Sequence, residues 1–183
     1  MNNKIKIYVC FGITNVRMLI KCVLNYGRIR WNTCCTVERN THFEADKGSA
    51  IAIGRHVRIR SGAKIVARPN ATISISDGVS MNYNCIMNAY EGITIGEGTI
   101  IGPNVCIYDQ DHAIGDAIDL HDNIYKTKKV SIGKNVWIGA NCLILRGSVI
   151  ADNCVIAAGS IVKGEIPEKS MFIQKRNTTI KEI

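Results

Sequence analysis

Aliphatic residues recur every six positions along most of this chain. Ile132, Ile138, Ile144, Ile150 and Ile156 keep the interval, and Val162 takes the next place. Ile95, Ile101 and Ile107 keep it upstream, as do Ile53, Ile59 and Ile65. A helix repeats every ~3.6 residues and a lone strand every ~2, so neither produces this spacing. Triangular coils do, with one short strand per side and one inward aliphatic residue per hexad. The pattern predicts an all-β solenoid around a column of isoleucine.

With each aliphatic residue as position one, position five holds Val57, Ala63, Val79, Cys85, Thr99, Val105, Val136, Cys142, Ser148 and Cys154. These are read as small inward packing residues, a role that suits a free cysteine. Position two is glycine at 54, 96, 102, 133 and 139, and position four is asparagine at 104, 135, 141 and 153. Both residue types tolerate positive φ, so both positions are read as corners. His56, also at position four, reads as a corner.

The beat starts loosely between residues 37 and 70, slips around Ala71–Ser74, and returns at Ile75, Met81 and Met87. It breaks after His112 and resumes at Val130, so residues 113–129 are expected to form a loop that interrupts the coils. Residues 1–36 lack the beat. Within them Val16, Leu19, Ile20, Val23 and Leu24 make one helical stripe, and Lys6, Arg17 and Lys21 argue against a membrane span. Two readings stand. The segment caps the open first coil, or it lies on a membrane as a basic amphipathic segment helped by Arg17, Lys21, Arg28 and Arg30. The expected division is an N-terminal cap over 1–36, coils over 37–167 and a C-terminal cap over 168–183.

Composition changes this picture little. Of 183 residues, 46% are hydrophobic and 21% charged, as in ordinary globular chains. The net charge of +8 suits a solvated basic surface, an anionic ligand or an anionic membrane face. No signal peptide is recognisable, so the eight cysteines are expected in a reducing, cytoplasmic compartment. None has metal-type CxxC spacing, and Cys34 and Cys35 have no assigned role. Neither a bound metal nor a nucleic-acid partner is expected.

The run from Val130 to Asn141, with Ile156-Ala157-Ala158-Gly159-Ser160-Ile161-Val162 and Ile166-Pro167, resembles the hexapeptide-repeat acyltransferases. Met81-Asn82-Tyr83-Asn84-Cys85 and Tyr108-Asp109-Gln110-Asp111-His112 resemble motifs of the sugar O-acetyltransferase branch. The resemblance covers roughly residues 50 to 170. It implies a left-handed parallel β-helix, a homotrimer with active sites between subunits, and acetyl-CoA as cosubstrate. It also implies a saccharide acceptor, in a bacterial surface polysaccharide such as capsule, O-antigen or exopolysaccharide, or in its lipid-linked precursor. Work at the inner face of the membrane, through the basic N-terminus, would suit such an acceptor.

His112 is the expected catalytic base, because imidazole takes and returns a proton near neutral pH. By resemblance Asn82 aims the acceptor hydroxyl, with Asn84 and Asp111 as further acceptor-side residues. The Ala140 backbone N–H is the expected oxyanion donor. Trp137, Gly139, Ala140, Ala158, Lys163 and Lys181 are expected along the coenzyme, and Lys175 and Arg176 near its phosphates. Trp137 is equally suited to a subunit contact. His121, within the loop, is a weaker candidate for contact with substrate.

The tail Phe172–Asn177 lacks the Gly-Asn-Pro turn often found in this family, which leaves the adenine-end contacts open. Three other readings remain: N-acetylation of an amino sugar, a metal-dependent anhydrase on the same coil, and a purely structural solenoid. The first usually brings a separate N-terminal nucleotide-binding domain, which residues 1–36 are too few to build. The second needs three convergent histidines, and His112 and His121 have no convincing third partner.

Overall fold

The computed structural model describes residues 3–114 and 122–175. An α-helix spans Asn3–Leu24, and short strands wound around three faces follow it. Face A stacks Ile29–Trp31, Ala50–Ile53, Thr72–Ile75, Gly92–Ile95, Val130–Ile132, Val149–Ile150 and Glu165–Ile166. Face B stacks Thr36–Val37, Arg58–Ile59, Ser80–Met81, Ile100–Ile101, Trp137–Ile138, Val155–Ile156 and Met171–Phe172. Face C stacks His42–Ala45, Lys64–Ala67, Ile86–Ala89, Cys106–Tyr108, Leu143–Ile144 and Ile161–Val162. Neighbours within each face are parallel, giving a β-solenoid of about six coils, as the hexad predicts.

Register explains the column. Ile95 stacks on Ile132, Ile132 on Ile150 and Ile150 on Ile166, while Ile101, Ile138 and Ile156 line up on face B. These side chains are buried, and each contributes roughly 1.5–3 kcal/mol relative to exposure. Trp31 and Phe172 close the column at its two ends. Every position-five residue predicted to face inward is buried, Cys85, Cys142 and Cys154 among them. Burial pushes the Cys85 thiol up to about 11. Cys35, unassigned from sequence, is fully buried in the first coil, and its thiol donates to Gly54 O (2.9 Å).

The asparagine corners and His56 have positive φ, as read. The position-two glycines do not, and space explains them instead. A Cβ on Gly102 would lie 2.7 Å from Ala140 N, and one on Gly139 2.5 Å from Ala158 N. Glycine is needed there because the next coil passes too closely for any side chain.

The coils extend beyond both expected boundaries. Ile29–Trp31 pairs with Ile51–Ile53, before residue 37, and Met171–Phe172 pairs with Val155–Ile156, after residue 167. Early coils are wider than late ones, which hid the start. Ile29 stacks on Ile51, 22 residues on, because faces A and C carry four-residue strands there. Ile132 stacks on Ile150, only 18 residues on.

The helix lies over the open first coil through its polar side. Arg17 donates to Val37 O (3.0 Å) and Glu38 O (2.6 Å), Lys21 to Thr41 O (2.8 Å), and Asn15 Nδ2 to Thr33 O (3.1 Å). Val37 N–H donates to Thr14 Oγ1 (3.3 Å), and Met18 is buried beside it. The stripe Val16, Leu19, Ile20, Val23 and Leu24 faces outward, not onto the coil. The first coil presents unpaired backbone groups as well as apolar core, and polar side chains satisfy them.

Candidate active site

Two corners flank face C, and they differ in what they carry. The corner leading to face A is broken by an arm. Gln110–His112 pairs antiparallel with Tyr125–Thr127, His112 opposite Tyr125. Lys128 N–H donates to Asp109 O (2.9 Å) at the arm's root, and Ala113 N–H to Ile124 O (2.9 Å) further out.

Asp109 anchors this corner. Its carboxylate is fully buried and accepts from the N–H groups of Tyr90 (2.7 Å), Glu91 (2.8 Å) and Gly92 (2.6 Å). Burial raises its pKa above the ordinary value, although these three donors favour the ionised form. The bonds tie the arm to the corner one coil below.

A cavity of about 740 Å³ opens between that corner and the arm. Tyr90, Tyr125 and His112 line one side. The Tyr90 and Tyr125 rings lie 4.4 Å apart between centroids, and those of His112 and Tyr125 4.6 Å, both tilted by 45°. Stacking on Tyr125 fixes the plane of an otherwise exposed imidazole. Burial, then the hydrogen bond with Tyr125, raises the Tyr90 hydroxyl pKa above its ordinary value. Arg146, from the coil above, donates through Nε to Asp111 Oδ2 (2.8 Å), so the carboxylate is paired before any ligand arrives.

Asn88 and Gln110 line the same cavity, and their side-chain oxygens are buried with no hydrogen-bond partner. Such a group costs about 1–3 kcal/mol and marks a place where a donor is missing.

The other corner, between faces B and C, is smooth. Asn82 and Asn84 lie on it, and Gly102, Gly139, Ala140 and Ala158 stack along it coil by coil. Asn82 Oδ1 accepts from Tyr83 N–H (2.9 Å), leaving its amide NH₂ to offer outward. Asn84 holds a left-handed corner, φ 57°. Ala140 O accepts from Gly159 N–H (2.8 Å), while its own N–H donates to no backbone carbonyl among the described residues. Trp137, 57% exposed, stands on face B next to this corner.

The predicted residues therefore split. His112, Asp111 and Lys163 sit at the C–A corner, whereas Asn82, Asn84, Gly139, Ala140 and Ala158 sit at the B–C corner. Within one chain face C separates Asn82 from His112, so Asn82 does not aim a hydroxyl at it there. His121, Arg176 and Lys181 lie outside the described residues. Asn88, Tyr90, Tyr125 and Arg146 are new to the site. Stacking could have found some of them, since Asn88 pairs with Tyr108 directly below the arm.

Residues 129–164 match the family described as bacterial transferase hexapeptide (six repeats). An Escherichia coli K12 protein named for lipopolysaccharide biosynthesis O-acetyl transfer, WbbJ, is 27% identical over 169 residues, covering 88% of this chain and 85% of that protein. The galactoside O-acetyltransferase of the same organism is 35% identical over 97 residues, but the match spans only 47% of its length and 53% of this chain. The solved structure of AntD, an N-acyltransferase of Bacillus cereus, superposes with a TM-score of 0.68 at 21% identity, covering 84% of this chain and 82% of AntD. That likeness establishes the shared fold.

Proposed function

We propose that this chain, a hexapeptide-repeat transferase by repeat and by fold, moves an acetyl group from acetyl-CoA to a hydroxyl of a saccharide. The observation that carries the reading is the placement of His112. It stands where the hexad is broken, over a cavity with an aromatic wall and two unpaired acceptors. WbbJ and the galactoside enzyme, both named as O-acetyl transferases, support a hydroxyl acceptor. AntD, solved with coenzyme A and an amino-sugar nucleotide, supports coenzyme A and a sugar.

The smooth corner fits the coenzyme. Gly102, Gly139, Ala140 and Ala158 raise no side chain larger than methyl, so a long thin arm can lie against the backbone, with Trp137 beside it. When bound, acetyl-CoA supplies the activated acyl carbon. His112 accepts the acceptor hydroxyl's proton as that oxygen attacks, and returns a proton to the departing sulfur. The free Ala140 N–H meets the charge that develops on the acyl oxygen. Tyr90 and Tyr125 offer the sugar a stacking wall, with Asn88 and Gln110 lining the cavity beside them. The Asp111–Arg146 pair holds the arm in register with the coil above.

These steps need the two corners to face each other. A homotrimer provides that, setting the His112 corner of one subunit against the Ala140 and Asn82 corner of the next. The acceptor is a unit of a bacterial surface polysaccharide or its lipid-linked precursor, and the enzyme works in the cytoplasm. Calorimetric titration with acetyl-CoA tests the first half of this reading, with about one site per subunit expected. For the second half, His112→Ala should keep coenzyme binding and lower kcat about 10²–10⁴-fold. Undiminished turnover would remove His112 from the chemistry. Lability of the product to mild base separates a transferred ester from an amide.

A further inference from the structure

The outward stripe of the helix is the largest feature the transfer chemistry leaves unused. Val16, Leu19, Ile20, Val23 and Leu24 are between 54% and 71% exposed, Val9 and Ile13 extend the row, and Tyr26 ends it at 82%. A row of this length facing water marks a contact surface.

Charge says what it contacts. Residues 1–70 hold thirteen Lys and Arg against three Asp and Glu, a net +10. The remaining residues hold ten against twelve, a net −2. The three acids of the first coil are already engaged: Glu38 pairs with Arg60, and Glu44 and Asp46 with Arg68. Arg17 and Lys21 are turned inward onto first-coil carbonyls. Arg30 on face A, Arg39 at the B–C corner and Lys47 at the C–A corner are exposed around the same coil. An apolar row thus lies across one end of the solenoid, inside a basic rim.

We propose that this end docks on an anionic membrane surface, with the helix lying in the interface. The apolar row enters the acyl boundary while the rim meets lipid phosphates, the pairing that interfacial helices use. Self-association through this face would instead bring two like-charged ends together. Among the described residues no helix is long and apolar enough to cross a membrane. The arm with His112 leaves the fourth coil, about 14 Å above the first at the usual strand spacing. If the acyl-transfer reading holds, the sugar reached is one displaced from the lipid carrier, not the one attached to it.

The test is co-sedimentation of the full chain with phosphatidylcholine vesicles, with and without phosphatidylglycerol. Binding to the anionic vesicles only, weakened by salt, is expected. Leu19→Glu with Val23→Glu, both at exposed positions, should lower the bound fraction about tenfold or more with an unchanged melting temperature. Arg30→Glu with Arg39→Glu should lower it with the apolar row intact. A wild type that stays in the supernatant overturns the proposal, as does equal binding to neutral vesicles. An assembly in solution dispersed by the helix variant, without vesicle binding, assigns the face to a second copy instead. None of these readouts depends on acetyl transfer, so failure here is distinct from failure of the catalytic reading.

Discussion

The two corners beside face C are built from the same hexad and diverge completely. At the B–C corner Gly102, Gly139, Ala140 and Ala158 keep every coil flush with the next. At the C–A corner the chain leaves the solenoid, and Asp109, Tyr90, Tyr125 and Arg146 build a walled cavity around His112. Removing side chains leaves a flush surface, and adding an arm makes a walled pocket. One repeat therefore supplies two kinds of surface without altering its core, the two that the proposed coenzyme and acceptor sites call for.

Asp109→Ala should break the contrast most. It leaves the buried Gly92 N–H and the half-buried Tyr90 and Glu91 N–H groups without their acceptor, at a cost of about 1–3 kcal/mol in thermal or chemical denaturation. Hydrogen exchange should quicken at Tyr90–Gly92 and leave the B–C corner unchanged. The same carboxyl gives a pH test. Burial holds its folded pKa above the ordinary 3.8. The stability it contributes is therefore fully present below that unfolded value and is lost as pH rises through the folded one. A carbon-13 titration of the carboxyl should find its midpoint above 3.8, and a midpoint below it would mean that the three hydrogen bonds outweigh desolvation.

Asn88→Leu comes next. It removes a buried acceptor that already lacks a partner, so the melting temperature should hold or rise. The KM for the acceptor should increase about tenfold, or roughly 1.4 kcal/mol, with that for acetyl-CoA unchanged. An unchanged acceptor KM would detach Asn88 from the pocket. The smallest effect belongs to the smooth corner. Ala140→Ser keeps the backbone N–H, so stability should move by less than about 0.5 kcal/mol and coenzyme affinity by less than about twofold.

Much of this is legible in the sequence. Ile95 to Val162 announced the coils, position five announced their lining, and the failure of the beat after His112 located the arm. What stayed hidden had physical causes. The first coil was obscured by four-residue strands and by Trp31 and Phe43 at places where isoleucine would have kept time. The helix was legible but its orientation was not, because the open coil asks for donors to Val37 O, Glu38 O and Thr41 O as much as for apolar cover. The cavity walls escaped because Asn88, Arg146 and Tyr125 reach the site from the coil below, the coil above and the far strand of the arm. Stacking register brings them together, and the hexad gives that register for Asn88 but not, across the arm, for Tyr125.

The bond from Lys128 N–H to Asp109 O closes the arm at its root. Ile95 stacks on Ile132 across that closure as if nothing had been inserted. The arm is therefore an exchangeable part. Its length and tip can vary in a lineage, or be swapped by an engineer, without the solenoid's agreement. Acceptor preference in such a protein can drift quickly while the scaffold that presents it stays still.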